Sequence, residues 1–226
     1  MPGLIALVGG DEFRSGTEDM DRVILQSAGV ERPAVLVVPT AAAAENPSRA
    51  AANGVTHFIR LGAEAAPLMI EESAHANDEA LLASVDSANV IYFTGGNPAH
   101  LLEVLADSLL LDKLRESLNR GAIVAGSSAG AMVMGSWMRF RGQWTEALGL
   151  VPGIVALPHH ERANPDEVAK ELAASAPADV TALGVDGRAA CFGAPDGEWK
   201  ALGVGSVTVY KAGQWQRFTP GQAVIL

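Results

Sequence analysis

Apolar residues in this chain come in short unbroken runs. Between the runs they recur every third or fourth position. Leu4–Val8, Ala34–Val38, Val55–Ile59, Val90–Phe93, Ile123–Ala125 and Val155–Leu157 are rich in Val, Ile and Leu and read as strands. Near-continuous apolar runs, rather than alternating ones, belong to parallel strands buried on both faces. Asp78–Val85, Ala99–Leu105 and Asp112–Leu118 have helical spacing. Asp112 and Asp166 stand where an N-cap belongs, and Pro165 precedes the second. Strands alternating with helices predict an α/β fold with a mostly parallel sheet and helices on both faces.

The last fifty residues break this rhythm. Thr181–Val185, Ala189–Phe192, Ser206–Tyr210 and Trp215–Phe218 read as strands joined by glycine-rich turns. Antiparallel strands are therefore expected to close one edge of the sheet. With no internal repeat and no linker, residues 1–226 are expected to form one domain, a three-layer sandwich. One stretch, the eighteen residues from Gly121 to Met138, has no charge and could pass for a membrane span. Its interruption by Gly126-Ser127-Ser128-Ala129-Gly130 makes strand, turn and helix the better reading.

Composition narrows the partners. Of the 226 residues 49% are hydrophobic, enough for a core and too many for a disordered chain. A net charge of −10 argues against a nucleic-acid partner, which calls for clustered Lys and Arg. The single Cys191 cannot form an intrachain disulfide, which fits a reducing compartment. No basic leader precedes Leu4, so a soluble cytoplasmic protein without a membrane partner is expected.

In an open α/β sheet, ligands gather at the carboxyl ends of the strands. Those ends carry Gly9-Gly10-Asp11-Glu12, Thr94-Gly95-Gly96-Asn97, Gly126-Ser127-Ser128-Ala129-Gly130 and Pro158-His159-His160-Glu161-Arg162. Gly126-x-Ser128-x-Gly130 has the spacing of a nucleophile elbow, in which glycines let a strand turn sharply into a helix and lift the serine clear. A serine nucleophile needs a base. His57 and His75 read as packing or surface residues, His100 could line a pocket, and His159 follows the next apolar strand after the elbow. His159-His160-Glu161 is a weak metal motif, since adjacent residues on an extended chain rarely face one ion. No metal or cofactor is expected.

Together these segments, with Leu148-Gly149-Leu150-Val151-Pro152-Gly153 leading to His159 and Leu183-Gly184-Val185-Asp186 beyond, resemble the peptidase E and cyanophycinase family of serine peptidases. The resemblance implies a glutamine-amidotransferase-like fold and a serine hydrolase cleaving small peptides as an exopeptidase, with a homodimer plausible. It implies Ser128 as nucleophile, His159 as base, and the Gly96 and Ala129 N–H groups as oxyanion hole. Asn97, His160 and Arg162 would bind substrate. Gly187 stands where the family carries a glutamate, His160 where it carries a phenylalanine, and Arg162 alone where it carries two arginines. The acid that orients His159 is then Asp186, the favoured choice, or Glu161. The alternatives are a chain of this fold that binds a metabolite without cleaving peptides, and an amidotransferase-like hydrolase. The latter fits poorly with serine at the elbow.

Overall fold

The computed structural model describes residues 3–226; Met1 and Pro2, part of the stretch read for a leader, lie outside it. In chain order the elements are β1 (Leu4–Val8), α1 (Glu18–Gln26), β2 (Ala34–Val38), α2 (Pro47–Arg60), β3 (Glu64–Pro67), α3 (Glu79–Leu82) and β4 (Val90–Phe93). Next come α4 (Pro98–Leu105), α5 (Leu109–Asn119), β5 (Ile123–Ser127), α6 (Ala129–Met134), β6 (Trp137–Phe140) and β7 (Gln143–Glu146). The chain ends with β8 (Ile154–Pro158), α7 (Pro165–Ser175), β9 (Thr181–Val185), β10 (Ala189–Gly193), β11 (Trp199–Gly203), β12 (Val207–Lys211), β13 (Gln214–Phe218) and β14 (Ala223–Val224).

The main sheet has the order β14-β11-β10-β1-β5-β4-β2-β3. Strands β1 to β5 pair in parallel, and β10, β11 and β14 close one edge antiparallel. Side chains alternate between two buried layers along each strand. Ile5, Leu7, Leu36, Val38, Ile91, Phe93 and Val124 join the layer under α4, α5 and α6. Ala6, Val8, Val35, Val37, Val90, Tyr92 and Ala125 join the layer under α1 and α2, which supply Met20, Ile24 and Phe58. Both faces are covered, so these strands needed no polar alternation.

Three expectations are corrected. Val55–Ile59 is the end of helix α2, not a strand: Asn46 caps the helix by accepting from the Arg49 N–H, and Pro47 fills its first turn. The caps of α5 and α7 are Ser108 and Asn164, with Asp112 and Asp166 inside the first turn, where a negative charge suits the positive helix end. Nor do all the C-terminal strands join the main sheet. β9, β12 and β13 form a second sheet with β8, in the order β13-β12-β9-β8 and with β8 and β9 parallel. Among the described residues no helix is long and apolar enough to cross a membrane. Gly121 to Met138 holds β5, the elbow and α6.

Both elbow glycines are fixed by contact. A β-carbon on Gly126 would lie 2.4 Å from the Gly130 carbonyl carbon, and one on Gly130 would lie 2.8 Å from the Phe93 carbonyl oxygen. Gly126→Ala is therefore expected to cost about 1–3 kcal/mol through overpacking, read as a lower urea midpoint. An unchanged midpoint would show that the elbow can relax freely.

Candidate active site

The carboxyl end of β1 ties the neighbouring loops together through consecutive carbonyls. Val8 C=O accepts from the Ser128 N–H (2.9 Å), Gly9 C=O from the His159 N–H (2.8 Å), and Gly10 C=O from the Arg188 N–H (2.9 Å). These bonds bring the ends of β5 and β8 to one place, although β8 belongs to the other sheet.

Ser128 sits at φ 50°, ψ −105°, a strained backbone for a residue with a side chain. It precedes α6, and the Ala129 N–H at the start of that helix donates to no acceptor among the described residues; neither does that of Gly96. Gly96 has φ +143°, and a β-carbon there would lie 2.2 Å from the Ala41 carbonyl oxygen, so only glycine fits. His159 is left-handed (φ 53°) and lays its ring on Gly10, where a β-carbon would come within 2.2 Å of Cε1. Its Nδ1 is sealed from solvent without a partner. Nε2 is the nitrogen left open. Ser128 and His159 do not hydrogen-bond to one another in this structure. Both line one cavity of about 950 Å³, with Thr94, Gly95 and Gly96. Catalytic hydrogen bonds are often long before substrate arrives.

The remaining expected site residues lie elsewhere. Asn97 uses its side-chain oxygen to cap α4, accepting from the Ala99 and His100 N–H groups. His160 points away from the cavity into the core, where its Nε2 meets the Tyr210 hydroxyl at 2.6 Å and its ring covers Gly184. Arg162 is exposed and pairs only with Glu161, at 3.4 Å. None of the three lines the cavity. His100 donates its Nε2–H to the Glu71 carbonyl at 2.9 Å and is also outside the cavity. Asp186, the favoured acid, accepts from the Ser206 N–H at 2.9 Å and contributes charge at His160. Glu161 accepts from the Gly187 N–H at 2.7 Å. Burial works to raise its pKa, yet that N–H with the charges of His159 and Arg162 outweighs it and holds the carboxyl below its usual range. Where a side chain at position 187 would begin, the Asp11 carboxylate lies 2.9 Å away and that of Glu161 3.6 Å. Those two acids already occupy the surroundings of the missing glutamate.

Two features escaped the sequence reading. Glu12 accepts from the Gly95 N–H and from the Ser127 hydroxyl, each at 2.8 Å, and lines the cavity. It leaves β1 on a loop where Gly10, Asp11 and Phe13 all have positive φ. His57, on α2, lines the far wall; its Nε2 meets Asp21 at 2.7 Å. Asp21 is 1% exposed, and burial pushes its pKa up against the opposing pull of His57. No cluster of metal-ligating side chains occurs among the described residues.

Comparison with known proteins places this geometry. Residues 4–192 match peptidase family S51. The chain belongs to that family. S51 is a serine-type family, so the chain is a serine-type peptidase. A cyanophycinase of Trichormus variabilis is 26% identical over 219 residues, covering 91% of this chain and 72% of the relative. One of Synechococcus elongatus is 28% identical over 220 residues, covering 92% and 67%. The crystal structure of a peptidase from an acI-B1 actinobacterium superposes with a TM-score of 0.88 at 28% identity, over 100% of this chain and 98% of that one. A putative peptidase E of Listeria monocytogenes shares the fold, with a TM-score of 0.61 at 16% identity over 97% and 99%.

His160 yields a pH signature. Burial lowers its pKa in the folded chain. The unfolded chain then takes up the proton first, and stability falls as pH drops below about 6.5 toward the folded value. His160→Asn is expected to flatten that part of the curve of unfolding free energy against pH. A variant with the wild-type slope would assign the acid sensitivity to other groups.

Proposed function

We propose that this S51 peptidase hydrolyses small peptides as an exopeptidase, with Ser128 as nucleophile and His159 as general base. The observation that carries the reading is the strained Ser128 elbow beside two unpartnered N–H groups, opening into the cavity that His159 lines. Ser128 Oγ attacks the scissile carbonyl while His159 Nε2 takes its proton. The Gly96 and Ala129 N–H groups receive the oxyanion. His159 returns the proton to the leaving amine, and water, activated by the same imidazole, releases the acyl group. The exopeptidase form rests on the resemblance to peptidase E and on the charged lining of the cavity.

The imidazolium formed on the way leaves Nδ1–H in need of an acceptor. Glu161 fits that role better than Asp186: its carboxylate already feels the charge of His159, whereas Asp186 is held by Ser206. A rotation of the Glu161 side chain from the Gly187 N–H to Nδ1 would complete a triad.

A fluorophosphonate probe is expected to label the wild-type chain and leave Ser128→Ala unlabelled, with peptide turnover down by at least about 10³-fold. Glu161→Gln is expected to lower turnover by about 10²–10⁴-fold, and Asp186→Asn by less than about tenfold. Equal labelling of Ser128→Ala would end the nucleophile assignment. The reverse ranking of the two acid variants would return the role to Asp186.

A further inference from the structure

Glu12 is a carboxylate placed beside the nucleophile. A point one β-carbon out from Gly95 lies 3.1 Å from Glu12 Oε1 and 3.4 Å from Ser128 Cβ. Its two hydrogen bonds come from neutral donors, the Gly95 N–H and the Ser127 hydroxyl. Among the described residues no Lys, Arg or His nitrogen lies within ion-pairing distance of it. Its charge, with that of Asp21, adds to burial in pushing the Tyr92 phenol well above its usual pKa, so the carboxylate acts electrostatically on its surroundings. A carboxylate accepts about four hydrogen bonds, and two positions on Glu12 remain open.

Such a charge opposes the reaction unless something neutralises it. The oxyanion forming on the substrate carbonyl is negative, and like charges at this range repel. Arg14, Arg49 and Arg60 line the same cavity, yet none of them pairs with Glu12. A cation carried by the substrate would meet it directly.

Resting on the serine-peptidase reading above, we propose that Glu12 receives the free α-ammonium of the peptide, so that the enzyme selects chains by their N-terminus. The geometry suits this. In any residue the α-nitrogen lies about 2.5 Å from its own carbonyl carbon. A carbonyl held for attack by Ser128 therefore carries its ammonium within reach of a carboxylate placed where Glu12 is. The ammonium donates to the open positions of Glu12 and cancels its repulsion of the oxyanion. An acylated N-terminus does neither.

The test offers the purified full chain peptides with acidic, neutral and basic first residues, each free and N-acetylated. Cleavage is followed by mass spectrometry, with fluorophosphonate labelling of Ser128 in parallel. Free peptides are expected to be cleaved about 10- to 100-fold faster in kcat/KM, the range that a charged hydrogen bond carries. The ratio of free to acetylated rates is expected to fall above about pH 8, where the peptide amine loses its proton. Taking the ratio cancels pH effects common to both peptides. Glu12→Gln can keep both hydrogen bonds, since its amide oxygen accepts from Gly95 and its NH₂ can donate to Ser127 Oγ. It is expected to reduce the ratio by tenfold or more. Equal cleavage of acetylated peptides, or an unchanged ratio in Glu12→Gln, overturns the proposal. Labelling at Ser128 without N-terminal discrimination leaves the hydrolase standing and removes the ammonium site. Absence of both labelling and cleavage removes both. Should Glu12→Gln fail to fold, the wild-type ratio and its pH profile decide alone.

Discussion

The exit of β1 is the fixture on which the site is hung. Three successive carbonyls, from Val8, Gly9 and Gly10, hold the backbones of Ser128, His159 and Arg188. The Glu12 side chain then reaches across to β4 and β5. A strand in the middle of a sheet has its backbone groups committed to its neighbours, so only its end can offer carbonyls to other loops. β1 lies between β10 and β5, the antiparallel and parallel parts of the main sheet. That position lets one strand end address the elbow on one side and the second sheet on the other.

Holding so many groups at one point strains the backbone. Ser128, His159, Asp11 and Phe13 all have positive φ without being glycine. Such conformations persist only where surrounding contacts determine them more strongly than local preference does. Here the contacts are the β1 carbonyls, the Glu12 hydrogen bonds and the bare backbone of Gly10 beneath the His159 ring. The result is a serine and an imidazole whose backbones are fixed on the rim of one cavity, so that only side-chain adjustment separates them.

The sequence displayed what local chemistry determines. Strand ends, the glycine spacing around Ser128 and the apolar runs of the main sheet depend on neighbours in the chain and were legible. Val55–Ile59 was not, because a short β-branched run suits a buried helix as well as a strand, and the deciding cap, Asn46, lies nine residues upstream. The second sheet was hidden because strand spacing says nothing about which sheet a strand joins. Glu12 was passed over because its partners are 83 and 115 residues away. His57 reads as a packing residue and is one, but its pairing with Asp21 was hidden because the two lie 36 residues apart on different helices. His160 lies away from the cavity for a steric reason. The turn at His159 sends the next ring under Gly184, into the second sheet.

The crowding beyond Gly187 bears on how this chain can change. A side chain added at position 187 would begin 2.9 Å from the Asp11 carboxylate and 3.6 Å from that of Glu161. A glutamate arriving there would bring a third negative charge to this corner and would have to displace the end of the Asp11 side chain. What position 187 can carry is thus coupled to the conformation of the loop leaving β1.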